Sequence, residues 1–178
     1  LRAGVFIINE GNFGTGNGAV KFVGTDSGTI KADTLDKAFQ TKNNRPLGDV
    51  VQSMAMANDS IAYIVVNNDN KIEVMNTVDF SAVKIINNLY LPRHVLKVTD
   101  NKAYVSNWGT FNGDVPAHLS IIDLNTNTVS DTITLGSYLG SDRLYLQNGK
   151  VYVMNNFAGS VSVVDVATDK VESTIEVS

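Results

Sequence analysis

Residues 150–165 read Lys150-Val-Tyr-Val-Met-Asn-Asn-Phe-Ala-Gly-Ser-Val-Ser-Val-Val-Asp165, and the same order returns three times earlier in the chain. Its first part matches Gly4-Val-Phe-Ile-Ile-Asn9, Ile61-Ala-Tyr-Ile-Val-Val-Asn67 and Lys102-Ala-Tyr-Val-Ser-Asn107. The aromatic anchors Phe6, Tyr63, Tyr104 and Tyr152 are spaced by 57, 41 and 48 residues. A second apolar run follows each anchor: Val20–Val23, Ile72–Met75, Leu119–Asp123 and Val161–Asp165. A polar turn comes next. Asp165-Val-Ala-Thr-Asp-Lys170 and Asp123-Leu-Asn-Thr-Asn-Thr128 match closely, with Thr25–Gly28 and Asn76–Asp79 as looser versions. Asp, Asn and Thr suit such turns because their side chains bond nearby backbone amides.

A third run follows the turn, as in Val129–Leu135 and Val171–Val177, and a fourth precedes the anchor, as in Ser53–Ala57, His94–Val98 and Arg143–Gln147. Four short, β-branched runs per repeat of roughly 40–45 residues is the period of a propeller blade. A blade lies between two neighbours, so its middle strands are apolar on both faces, which Ile64-Val-Val66 fits better than strict alternation does. A β-sandwich is the competing all-β arrangement. The reading is therefore an all-β propeller of four-stranded antiparallel blades. About four blades are present, spanning approximately 4–50, 51–92, 93–141 and 142–178, with the first incomplete. Residues 31–40 have a helix-like composition but read as an outer strand with a bend.

Composition limits the function. The chain has 178 residues, a net charge of −4, 43% apolar residues and no cysteine. No apolar run is long enough for a spanning helix. The mild acidity argues against nucleic acid as a partner, since phosphate backbones select basic faces. Absent cysteine removes disulfides, thiolate metal sites and a cysteine nucleophile. The chain starts at Leu1, which reads as a processed or trimmed chain.

Tyr104-Val-Ser-Asn107 and Tyr152-Val-Met-Asn155, each followed by an Ile/Val-Asp strand, resemble the repeat of YncE-like, YVTN-family β-propellers. Gly4–Gly14, Arg45-Pro-Leu-Gly-Asp-Val50 and Tyr63–Asn68 are similar to the surface lipoprotein branch of that group in Bacteroidetes, whose relatives include BtuG-like cobalamin-capturing propellers. The resemblance implies a ring of seven blades, of which this chain would be the N-terminal half or a truncated form. It also implies a cell-surface location at the outer membrane, with the periplasm as the alternative, and docking on a TonB-dependent transporter. The lipid-anchor cysteine usual in that branch is not in this sequence.

Blade order puts the loops 9–19, 67–71, 107–118 and 155–160, with 43–49, 87–93 and 136–142, on one side. These carry Phe13, Tyr90, Trp108, Phe111, Tyr138 and Phe157, whereas the opposite turns hold only Phe80. Asn112, Asn156 and many of the chain's 20 asparagines share that side. Rings beside neutral amides suit a polar organic ligand or a protein surface. Arg45, Arg93 and Arg143 fall near the entries of innermost strands, where they would bind an anionic group or pair with Asp49, Asp142 or Asp123. Asn67, Asn107 and Asn155 fall at strand ends, where bonding to loop backbone is the expected role. The leading expectation is a non-catalytic binding propeller.

Catalytic and cofactor signals are sparse, and no catalytic residue, metal or cofactor is expected. His94 and His118 lack metal-ligand spacing. Gly14-Thr-Gly-Asn-Gly18 lacks the dinucleotide fingerprint and leads into a strand, so it reads as a flexible loop. The alternatives are a propeller hydrolase or lactonase using His94, Asp49, Asp142 and Glu10 around a metal, and a structural surface-layer or adhesion module. Uncovered blade faces and edges would also favour self-association.

Overall fold

The computed structural model describes residues 3–26, 28–30 and 34–177. It contains four antiparallel sheets and one short helix. The first sheet holds β1 (Gly4–Asn9), β2 (Ala19–Asp26) and β3 (Thr29–Ile30) in that order. After helix α1 (Ala38–Asn43), the second sheet runs β4 (Val51–Asn58), β5 (Ile61–Val66), β6 (Lys71–Asn76), β7 (Ala82–Ile86). The third runs β8 (Pro92–Lys97), β9 (Lys102–Asn107), β10 (Ala117–Asp123), β11 (Thr128–Gly136). The fourth runs β12 (Ser141–Gln147), β13 (Lys150–Asn155), β14 (Ser160–Asp165), β15 (Lys170–Glu176). Consecutive strands pair as consecutive neighbours, which is the meander of a propeller blade.

The chain divides into two compact units, one ending at Ile85 and the other beginning at Ile86. In the first unit, Phe6, Phe22 and Phe80 form a ring cluster with centroids 5.2–6.1 Å apart. Ile64 and Met75 of the second sheet close over it. Phe80, expected on the turn side, is thus a core residue, 4% exposed. In the second unit, Tyr104, Leu119, Ile121 and Ile133 of the third sheet pack against Val151, Val153 and Val164 of the fourth.

The polar turns behave as their residues dictate. Asp123 Oδ1 accepts from the Asn125 and Thr126 amides, and Asp165 Oδ1 from Ala167 and Thr168. Asn76 Oδ1 does the same for Val78 and Asp79. In all three the fifth residue is left-handed: Phe80 at φ 64, Asn127 at φ 54 and Asp169 at φ 56. The looser turn at Thr25–Gly28 includes residue 27, outside the described residues.

One local expectation needs correction. Residues 31–33 lie outside the described residues, and of the rest only Leu35 pairs as an outer strand, with Phe22. Residues 38–43 are helical. Ala38 and Phe39 are buried against β2 with Val20, Leu47 and Val51, so core burial overrides strand pairing here.

Candidate functional site

Three loops of the second unit build the site: 108–116 between β9 and β10, 137–140 between β11 and β12, and 156–159 between β13 and β14. Each innermost strand begins with a bulge, at Val51/Ser53, Pro92/Val95 and Ser141/Leu144. Bulges re-aim side chains and recur beside functional sites. On β8 the bulge holds Arg93 and His94; on β12 it holds Asp142 and Arg143.

The two bulges converge. Arg93 Nε and Nη2 both lie 3.3 Å from Asp142 Oδ2. His94 Nε2 lies 2.9 Å from Asp142 Oδ1. Asn156 Nδ2 donates to Oδ2 at 3.1 Å. An ionised carboxylate only accepts, so Nε2 of His94 carries the proton facing it. Burial alone would push the Asp142 carboxyl up. The bond from His94 and the charge of Arg93 outweigh it and hold the group below its usual range. Ser106 Oγ donates to the Asp142 carbonyl at 2.6 Å and accepts from the His94 amide at 3.1 Å. That hydroxyl is thus spent on backbone and is not presented to the imidazole as a nucleophile.

Aromatic rings extend this polar knot outward. The Arg93 guanidinium sits 4.2 Å from the Trp108 ring centroid. Trp108 also meets Phe157 at 5.1 Å and Phe111 at 6.5 Å. Phe111 and Phe157 are 76% and 60% exposed. Tyr138, 63% exposed, donates to the Asn112 carbonyl at 3.0 Å. A Cβ at Gly113 would fall 2.5 Å from the Tyr138 hydroxyl, so only glycine permits that approach. Asn112 itself is a turn residue, bonded to Asp114 at 2.5 Å and 3.3 Å. The Trp108 indole N–H is buried without a partner. Tyr90 is half exposed, edge-on to His118 at 5.9 Å. Tyr90, Arg93, Trp108, Phe111, Asn112, Tyr138, Asn156 and Phe157 therefore all belong to this one unit: Arg93, Phe111 and Phe157 meet at Trp108, Asn156 joins through Asp142, Tyr138 pairs with Asn112, and the Tyr90 ring meets His118.

Phe13 and Arg45 belong to the first unit. Phe13 is 78% exposed at the tip of a loop that Asp49 secures. Asp49 accepts from the Gly14 amide at 2.8 Å, the Gly16 amide at 3.3 Å and Asn68 Nδ2 at 2.6 Å. Burial raises the Asp49 carboxyl, and these bonds together bring it below its usual range. The glycine-rich loop is thus tethered by a carboxylate. Arg45 pairs with Glu73, not with Asp49: two bonds of 2.7 and 2.8 Å form a fork, and Lys71 adds a contact at 3.0 Å. Glu73 is fully buried, so Arg45 neutralises a core charge. Arg143 is exposed.

Asn107 and Asn155 occupy equivalent places, opposite Pro92 and Ser141. Their amides bond Ser120 Oγ and Val105 O in one case, Ser160 and Ser162 Oγ in the other. They hold strand ends together, although three of these four partners are serine hydroxyls in place of backbone. The equivalent of both in the second sheet is Val66, not Asn67. Among the described residues no three His, Cys, Asp or Glu side chains group as a metal site.

The blades define the chain as a β-propeller protein. Solved propellers of unrelated sequence superpose on it. Hydrazine synthase of Kuenenia stuttgartiensis matches with a TM-score of 0.73 at 15% identity, over 97% of this chain and 46% of that one. A putative 6-phosphogluconolactonase from Bacteroides fragilis matches at 0.71 and 16%, over 97% and 53%. Apo AztD from Citrobacter koseri matches at 0.65 and 14%, over 98% and 44%. The chain spans about half the length of these structures. No curated protein matches it in sequence. The chain belongs to the family described as domain of unknown function DUF5074, whose model matches residues 3–178.

Proposed function

We propose that this protein is a non-catalytic binding propeller of the YncE-like group. It acts outside the cytoplasm, at the outer-membrane surface, and captures a polar organic ligand on the Trp108 loops. The single observation that carries the reading is the pair of exposed rings, Phe111 and Phe157, on Trp108, with Tyr138 exposed on the 137–140 loop, backed by Arg93, Asp142 and Asn156. Large exposed rings grouped on loops serve no core and supply contact area, while the amides and the guanidinium orient a ligand. The YVTN-like repeat and the N-terminal resemblance support the surface location and a TonB-dependent transporter as the docking partner. They make cobalamin the first ligand to test.

The experiment is a spectral titration of the protein with cobalamin. The reading expects a saturable shift with wild-type protein that is lost in the double variant Trp108→Ala, Phe111→Ala, with the circular dichroism spectrum unchanged. No shift with wild-type protein removes cobalamin. A shift that the double variant keeps overturns the site.

A second reading rests on a different observation, the His94–Asp142 pair, and on the likeness to a putative 6-phosphogluconolactonase. It makes the same bulges a hydrolase centre with His94 as the base. Turnover of a lactone that His94→Gln abolishes would favour it over capture.

A further inference from the structure

Strand β9 starts at Lys102 and runs to Asn107, next to Trp108. At its Lys102 end, beside the β10–β11 turn, lies a cleft of about 410 Å³. Thr99, Asn101, Asp123 and Ser130 supply its polar lining, and Ile121 and Ile122 an apolar wall. A bulge brings Ser130 there: Ile121 pairs with Asp131 and Ile122 with Val129, so Ser130 is the extra residue. Both hydroxyl protons are already committed. Ser130 Oγ donates to the Ile121 carbonyl at 3.2 Å, and Thr99 Oγ1 donates to Asn101 Oδ1 at 2.9 Å. Each of these oxygens therefore has only acceptor capacity left to offer.

Asp123 is the charged member of the lining. The bond from the Asn125 amide, with that from Thr126, outweighs burial and holds its carboxyl below the usual range. Strand register sets Lys102 directly opposite it. That amine is drawn elsewhere: Lys102 Nζ donates to the Val166 carbonyl at 2.8 Å and to Asp169 Oδ1 at 2.7 Å. The Tyr104 hydroxyl donates to the same Asp169 oxygen and fixes that carboxylate in place. Among the described residues, Asp123 has no cationic partner. The cleft thus presents one carboxylate and two acceptor hydroxyls beside a wall of isoleucine. A primary ammonium matches that set, because it has three N–H donors and accepts nothing, and its alkyl stem packs on apolar side chains.

We propose that this cleft binds a primary ammonium group carried on an alkyl chain, with Asp123 as its counter-charge and Ser130 and Thr99 as further acceptors. The group comes from a small free amine or from a lysine side chain of a partner, and the chemistry of recognition is the same for both. The site is independent of ligand capture, because neither Trp108 nor its loop neighbours line the cleft.

Amide NMR shifts during titration with butylammonium chloride test it. Wild-type protein should show saturable shifts at Asn125, Thr126 and Ser130. Asp123→Asn should weaken binding at least about tenfold, the loss of one bond to a charged group. That variant keeps the turn, because an asparagine already caps the equivalent turn at Asn76. Ser130→Lys, which puts an ammonium of the chain's own into the cleft, should block binding. Tetramethylammonium carries the same charge without N–H donors and should leave these amides unmoved. Titration with Nα-acetyl-lysine amide separates the sources: saturable shifts equal to those of butylammonium favour a partner's lysine, and shifts with butylammonium alone favour a small free amine. Wild-type protein whose amides stay unmoved by both amines overturns the proposal. So do shifts that survive Asp123→Asn, or a tetramethylammonium response equal to that of butylammonium, which would mark charge attraction without a built site.

Discussion

Asp49 and Asp142 lie near the starts of innermost strands, one in each unit, and both are ionised carboxylates below their usual range. Their partners differ in kind. Asp49 accepts from two glycine amides and an asparagine. Asp142 accepts from an arginine, a histidine and an asparagine, and the arginine lies on the only tryptophan of the chain. Backbone donors make the first a tether for the glycine-rich loop. Side-chain donors from β8 and from the loop after β13 make the second a hub whose arginine also borders an exposed aromatic surface. The same residue type thus supports shape in one unit and, on this account, recognition in the other.

Removing each carboxylate should separate the two roles. Asp142→Ala removes the part-buried carboxylate that Arg93, His94 and Asn156 share, and should cost about 3 kcal/mol of unfolding free energy in urea. A loss near zero would mean that Arg93 and His94 find water or another acceptor. Asp49→Ala should act locally. Hydrogen exchange at the Gly14 and Gly16 amides should speed up while amides of β9 and β13 keep their protection. Faster exchange throughout would make Asp49 as central as Asp142.

Acid gives a smaller effect with two windows. Burial pushes the His118 imidazole below its ordinary 6.5, so the unfolded chain binds that proton more readily. Its contribution is full above 6.5 and declines as the pH falls below it. Asp49 and Asp142 act lower: their contribution is present above 3.8 and lost as the pH falls through their depressed values. The urea midpoint should therefore fall first below 6.5, and His118→Gln should remove that first step only. A midpoint that stays flat down to 3.8 would contradict the burial argument.

Much of the architecture was readable because the repeat is local. The anchors Tyr63, Tyr104 and Tyr152 each mark a second strand, and Asp123 and Asp165 each mark a turn whose bonds lie within four residues. Helix α1 was not readable, because six residues carry too little periodicity and Phe39 is helical only by virtue of the core beside it. The partner of Arg45 was missed for a related reason. Glu73 sits within an apolar strand, where no sequence pattern says which cation will reach it. The Arg93–Asp142 pair spans 49 residues and was one of several pairings that the sequence left open. The bulges that aim both side chains have no signature in residue type. The place of Asn67 was legible, since it lies four residues past its anchor where Asn107 and Asn155 lie three past theirs, and the strand register agrees.

Trp108 is the only tryptophan, so its emission reports on the site alone. The direct test of the account is its emission during a cobalamin titration, corrected for absorption by the ligand, in wild-type, Asp49→Asn and Phe157→Ala proteins. The account predicts a saturable change that Asp49→Asn preserves and Phe157→Ala abolishes. An emission that Phe157→Ala leaves responsive, or that Asp49→Asn silences equally, would contradict it.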